Sequence, residues 1–174
     1  MSNSIRICIV QKNEIDQLIK LSIETFCETF SGVNTEENMH KYIQSSLNSN
    51  KILSEISNPN SIFYFAKIKD EIVGYFKINL LDAQTENMGN DSIELERIYI
   101  LKEFQRKGIG QDLIQFIIDY ASSISKNEIW LGVWSENYSA IEFYKKLGFI
   151  ECGKHIFRLG DDEQIDHIMK LKLT

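Results

Sequence analysis

The residues best suited to chemistry lie in the run Ile98-Tyr99-Ile100-Leu101-Lys102-Glu103-Phe104-Gln105-Arg106-Lys107-Gly108-Ile109-Gly110. An apolar, strand-like segment there enters a short basic turn, and the turn opens a long helix. The first N–H groups of a helix lack intrahelical acceptors, and with the helix dipole behind them they form an anion site. Gly108 and Gly110 would let the backbone come close to the anion, and Arg106 and Lys107 add positive charge. A phosphate or pyrophosphate suits this chemistry. Two other phosphate loops do not fit. A P-loop needs Gly-Lys-Ser/Thr, but Gly110 is followed by Gln111-Asp112. A dinucleotide fingerprint needs a third glycine where Leu113 stands, and an acidic strand end that is missing. A plain strand-to-helix turn with a glycine cap is the competing reading. Two glycines and two basic residues at one helix start favour the anion site.

The elements that must position this turn alternate along the chain. Ile5 to Val10 reads as a strand, and Asn13 as the cap of a helix carrying Asp16, Ile15, Leu18, Ile19 and Phe26. Thr35 to Leu47 is a second helical stretch with Glu36 and Glu37 at its start, and a short third precedes the turn Asn58-Pro59-Asn60. Ile62 to Ile68 and Ile72 to Leu80 read as a hairpin joined at Asp70-Glu71. Asp82 to Ser92 is a polar loop and Ile93 to Ile100 a strand. Gly108 to Ile124 has the clearest helical spacing, in Leu113, Ile114, Ile117, Ile118, Ala121 and Ile124. Ile129 to Trp134 reads as a strand and Ser139 to Leu147 as a helix ended by Gly148. Phe149 to Leu159 and Gln164 to Leu173 close the chain as a hairpin. One mixed α/β domain over residues 1–174 is expected, without linker or internal repeat.

Composition narrows the partners. A chain of 174 residues can bury one sizeable core. Its net charge of −6 argues against nucleic acid, whose affinity rests on Lys and Arg neutralising phosphates. The same charge suits a cationic partner, although solubility alone explains mild acidity. Cys8, Cys27 and Cys152 are odd in number and far apart, and His40, His155 and His167 stand apart from them, so no disulfide framework or metal site is written here. Neither a signal-peptide core nor a membrane-length apolar run is present. A cytoplasmic protein without metal or membrane partner is the expectation.

The spacing Gln105-x-x-Gly108-x-Gly110 after a strand resembles the signature of the GNAT superfamily of acetyl-CoA-dependent N-acetyltransferases. A second motif agrees with it, Asn137-Tyr138-Ser139-Ala140-Ile141-Glu142-Phe143-Tyr144-Lys145-Lys146-Leu147-Gly148-Phe149. Within that superfamily the chain is similar to the PaiA-like spermidine/spermine acetyltransferases. The segments that carry this are Leu21 to Phe26, Glu96 to Ile100, Ile129 to Trp134 and Gly160 to Gln164.

The resemblance implies a mixed, mostly antiparallel twisted sheet with helices on both faces and two central strands splayed at a bulge. The pantetheine arm of acetyl-CoA would fill the gap like an added strand, bonded by edge groups of Ile98, Tyr99 and Ile100. One N–H there would polarise the thioester carbonyl. Gln105, Arg106, Lys107, Gly108, Ile109, Gly110 and the Gln111 N–H would hold the pyrophosphate. Asn137 would touch the pantetheine, and is equally a helix N-cap. Tyr144 sits where the family places the acid that protonates the departing thiolate; taken alone, it reads as a core tyrosine beside Ile141, Phe143 and Leu147.

The attacking amine must lose a proton, and a polyamine ammonium resembles lysine, with a pKa of about 10.4. Glu94 and Glu96, two apart on one strand, would share a face with Ile98. They read equally as a base and as a solvated strand face, and Glu96 is the choice for the base. By the same resemblance a polyamine would lie in an acidic groove of Glu24, Glu28, Glu36, Glu37, Asp82 and Glu86. Glu36 and Glu37 are also what a helix start favours. An N-terminal acetyltransferase for peptides or ribosomal proteins would share the CoA half, and a non-catalytic CoA-binding regulator could dispense with Tyr144. The C-terminal hairpin could pair edges in a homodimer.

Overall fold

The structure is a computed structural model that describes residues 4–173. Seven strands form one sheet: β1 (Ile5–Ile9), β2 (Ser61–Ile68), β3 (Glu71–Leu80), β4 (Ser92–Ile100), β5 (Glu128–Trp134), β6 (Ile150–Leu159) and β7 (Asp162–Lys172). Their spatial order is β1-β2-β3-β4-β5-β7-β6, with all neighbours antiparallel except β4 and β5. The helices are α1 (Ile15–Phe30), α2 (Glu36–Ser46), α3 (Ser49–Ser57), α4 (Ile109–Ser123) and α5 (Tyr138–Lys146). No helix among the described residues is long and apolar enough to cross a membrane.

Helices cover both sheet faces, as expected. Leu113, Ile114 and Ile117 of α4, with Ile141 and Tyr144 of α5, pack on Tyr64, Phe76, Ile78, Ile93 and Leu95. Leu18 and Leu21 of α1, with Ile52 of α3, cover Phe63, Phe65 and Tyr75 on the other face. Helix starts follow their capping residues. Thr35 Oγ1 accepts the Asn38 N–H at 3.2 Å, and Asn48 Oδ1 accepts that of Lys51 at 2.9 Å. Asn13 does not cap α1. It lies within a 3-10 turn, Lys12–Glu14, where the Gln11 N–H donates to the Glu14 carboxylate at 2.9 Å.

The sheet opens in the middle. β4 pairs with β5 only at Ser92↔Glu128, Ile93↔Ile129 and Glu94↔Trp130. Beyond that point β5 stays on β7 to Trp134 and β4 stays on β3 to Ile100, leaving a gap between them. A bulge accompanies the parting: Lys77 pairs with Arg97 and Ile78 with Leu95, so Glu96 is the extra residue. A bulge bends and twists its strand, which turns β4 away from β5.

Gly74 holds β3 tight to β4 beside this gap. A Cβ there would stand 2.5 Å from the Tyr99 carbonyl oxygen and 3.2 Å from the Ile100 Cα, both backbone atoms. Gly74→Val is therefore expected to cost about 1–3 kcal/mol, as overpacking does. Thermal unfolding of the purified variant measures it.

Candidate active site

The bulge decides what faces what. Glu94 and Glu96 both accept from Asn79 Nδ2, at 2.9 and 2.6 Å, on the face covered by α1 and α3. Ile98 packs instead in the core beneath α4. The expectation that these carboxylates share a face with Ile98 is thus corrected, because the extra residue at Glu96 shifts the alternation of the strand.

Around Glu96 lies a buried ionic cluster. Lys77 Nζ is 2.5 Å from Glu96 and 3.2 Å from Glu55; Arg97 Nη2 is 3.1 Å from Glu96 and 3.2 Å from Glu55. Burial alone would raise the pKa of Glu96, but Arg97 and Lys77 outweigh it and hold the carboxyl below its ordinary value. Glu94 has no Lys or Arg partner among the described residues. Burial pushes its pKa up, against bonds from the Thr85 hydroxyl, the Thr85 N–H at 2.8 Å and Asn79. Two neighbouring carboxylates therefore differ in character: Glu96 is fixed as an anion, and Glu94 holds a proton more readily.

On the far side of the gap, Gly132 of β5 is exposed between buried Leu131 and Val133. His155 leans over it, with Nε2 3.5 Å from Asp166 and Nδ1 3.4 Å from Glu86. The Asp166 carboxylate raises the imidazole pKa above its ordinary value.

The turn after β4 has the backbone shape of a nest. Arg106 (φ 58°) and Gly108 (φ 84°) both take left-handed conformations, and Gly108 is the N-cap of α4. A Cβ at Gly108 would meet nothing within 4 Å, so its glycine serves the backbone angle. Gly110 serves another purpose. A Cβ there would come within 3.2 Å of the Phe143 ring, so this glycine lets α4 approach α5. The Gln111 N–H bonds the Gly108 carbonyl at 3.0 Å, which leaves the earlier N–H groups as the freer donors. Gln105 Nε2 donates to the Ile100 carbonyl at 2.9 Å, and Lys107 lies over the Phe104 ring at 4.9 Å.

The edge of β4 can be assigned atom by atom. The Leu101 N–H bonds the Val73 carbonyl at 2.9 Å, so in this antiparallel pair Tyr99 also directs its backbone groups at β3. The N–H groups of Ile98 and Ile100 then face the gap. Tyr99 leaves the expected set of edge donors, and the Ile100 carbonyl is already taken by Gln105.

Tyr144 is 7% exposed, with its ring 5.3 Å from that of Phe143 and 5.5 Å from that of Phe149. Burial pushes its phenol pKa well above the ordinary value, so the hydroxyl keeps its proton throughout the neutral range. Asn137 Oδ1 caps α5 by accepting the Ala140 N–H at 3.2 Å, leaving its amide donors for another partner.

The remaining acids of the expected groove each hold a partner of their own or are exposed. Glu28 accepts the Lys102 N–H at 3.0 Å, Glu37 pairs with Lys41 at 3.0 Å, and Asp82 accepts from Asn60 at 2.6 Å. Their partners lie in three different parts of the fold. Glu24 and Glu36 are exposed on α1 and α2. Glu86 approaches the gap through His155, and Glu28 stands just past the end of β4 through the Lys102 N–H.

Comparison with known proteins agrees with this geometry. The model of the acetyltransferase (GNAT) family matches residues 21–149. This chain belongs to the GNAT family. As a GNAT acetyltransferase it uses acetyl-CoA, and the features present fit that group: a parted β4 edge with outward N–H groups at Ile98 and Ile100, and a nest at Arg106 and Gly108. An N-acetyltransferase of the pepI 3' region of Lactobacillus delbrueckii subsp. lactis is 38% identical over 170 residues, covering 98% of both chains. The spermidine N(1)-acetyltransferase of Thermoplasma acidophilum is 25% identical over 173 residues, covering 97% of this chain and 98% of that one. The crystal structure of the PaiA N-acetyltransferase from Thermoplasma acidophilum, in complex with coenzyme A, superposes with a TM-score of 0.78 at 24% identity. It covers 97% of this chain and 99% of that chain.

Five residues of this candidate site lie outside every quoted motif, Glu55, Lys77, Asn79, His155 and Asp166, and Arg97 lies within the Glu96 to Ile100 segment without a role read from it. Lys77 and Asn79 did leave a signal. They are two polar residues spaced by two inside the apolar run Ile72 to Leu80, where a strand buried on both faces should be apolar throughout.

Proposed function

We propose that this GNAT chain transfers the acetyl group of acetyl-CoA to a primary amine of a polyamine such as spermidine or spermine, by direct attack within a ternary complex. The observation that carries this reading is the set of carboxylates on one face of the β4–β5 gap, Glu94 and Glu96 on one bank and Asp166 with Glu86 on the other. Lys77 and Arg97 already match Glu96, so the carboxylates without a Lys or Arg partner among the described residues are Glu94, Asp166 and Glu86, and these favour a cationic acceptor. Similarity to a spermidine N(1)-acetyltransferase along nearly the whole chain supports it.

The roles follow from the two proton movements. The amine nitrogen attacks the thioester carbon after losing a proton, and the carbon–sulfur bond breaks. Acetyl-CoA supplies the activated acyl group; the chain's residues position it and move the protons. The outward N–H of Ile98 polarises the carbonyl, and the nest at Arg106 to Ile109 holds the pyrophosphate. Tyr144 donates its proton to the thiolate. We assign contact with the amine and acceptance of its proton to Glu96, whose side chain is 19% exposed; the Asn79 amide donates to both Glu96 and Glu94 and so holds the two carboxylates in place without carrying the proton between them. Glu94 is 3% exposed and covered by Thr85, so direct contact requires that loop to move.

Thiol release from acetyl-CoA by the purified protein tests the acceptor. Turnover with spermidine or spermine, and none with a peptide bearing a free N-terminus, is the expected result. Turnover on the peptide alone would overturn the polyamine reading.

A further inference from the structure

The two banks of the gap differ in how their charges are matched. On the β4 side Glu55 and Glu96 are compensated by Lys77 and Arg97. On the β5 side no Lys or Arg among the described residues pairs with Asp166 or Glu86, and the basic group between them is the His155 imidazole. Asp166 is 9% exposed, and its Oδ1 is buried without a hydrogen-bond partner. A buried carboxylate oxygen is costly to leave without a donor. Both His155 and Asp166 stand over Gly132: a Cβ at that position would lie 3.0 Å from Nε2 and 3.4 Å from the Asp166 Oδ2. Gly132 is exposed at the parted strands, and the Asp166 oxygen beside it is Oδ2, the one that faces His155; an ammonium over Gly132 meets Oδ2 first and reaches the solvent-closed Oδ1 only as the His155 ring shifts. An ammonium has three donors and a compact charge, which suits two carboxylates that share one weak internal cation.

We infer that Asp166, with Glu86 and His155, binds a second ammonium group of the acceptor, so that the enzyme selects diamines and polyamines over monoamines. The inference rests on the polyamine reading above and adds a location and a selectivity to it. The acceptor then spans the gap, with its reacting nitrogen at the Glu96 bank and its second nitrogen over Gly132.

The experiment compares kcat/KM for 1,4-diaminobutane and butylamine, which share one carbon skeleton and differ by one ammonium. The wild type is expected to prefer the diamine. Asp166→Asn should reduce that preference about tenfold, the scale of one partly desolvated charge-assisted contact. Glu86→Gln, at an exposed loop position, should reduce it in the same direction but less. A preference unchanged in both variants would overturn the subsite while leaving polyamine acetylation standing. If Asp166→Asn does not fold, an unchanged preference in Glu86→Gln overturns it alone. A wild type that acetylates neither these amines nor spermidine removes the polyamine reading itself, and this subsite with it.

Discussion

Tyr144→Phe is expected to lower the rate of acetyl transfer by about 10²–10⁴, the usual contribution of a positioned general acid. The change removes a single oxygen from a side chain that is 7% exposed and packed between Phe143 and Phe149. Shape and apolar contact are kept, so the variant should fold and bind CoA as the wild type does. Burial keeps the phenol protonated but leaves it a weaker acid than a cysteine-like thiol, whose pKa is about 8.5, so its contribution is a proton held in position for the sulfur while the carbon–sulfur bond breaks. Single-turnover kinetics at saturating acetyl-CoA isolate the chemical step. A rate within twofold of wild type would remove Tyr144 from the mechanism and return it to the core.

The second large effect is on stability. Lys77 has a 5% exposed side chain and compensates both Glu55 and Glu96. Lys77→Met leaves one guanidinium, Arg97, to balance two buried carboxylates, and breaking such a pair costs about 3–5 kcal/mol. In a domain of this size that lowers Tm by about 6–20 °C. Joining Lys77→Met with Glu96→Gln should recover part of the loss, because the uncompensated charge is then absent. The pH dependence follows from the depressed pKa of Glu96. A carboxyl held low when folded contributes stability that is fully present above its unfolded value, about 4.3, and is lost as pH falls through the folded value. In Lys77→Met the folded value rises, so the acid-side loss begins at higher pH. Melting curves from pH 3 to 7 measure both effects. A single variant as stable as wild type would show that Lys77 does not hold the cluster together.

The parts of this site that the sequence makes legible are those written locally. The Gln105 to Gly110 turn, the Asn137 cap and the position of Tyr144 on α5 each depend on a few adjacent residues. Local spacing therefore predicts their elements. What depends on pairing across the sheet is harder to read. A one-residue bulge at Glu96 reverses which face every later β4 residue presents, and no residue type at 96 announces it. The same shift aims Arg97 at Glu55, 42 positions away, and hides the ionic cluster from any local pattern. Exposed acids such as Glu24 and Glu36 are conspicuous in the sequence, yet the carboxylates that converge on the gap lie on β4, on β7 and in the loop before β4. Gly110 carries a second demand that local spacing does not show, room for the Phe143 ring.

The central claim is that the opening between β4 and β5 is the catalytic cleft. Residue-resolved amide hydrogen exchange, with and without saturating CoA, tests it most directly. CoA is expected to slow exchange at Ile98, at Ile100 and across Arg106 to Ile109, while Tyr99 and the β2–β3 pair change little. Protection that falls elsewhere and leaves Ile98 and Ile100 unchanged would contradict it.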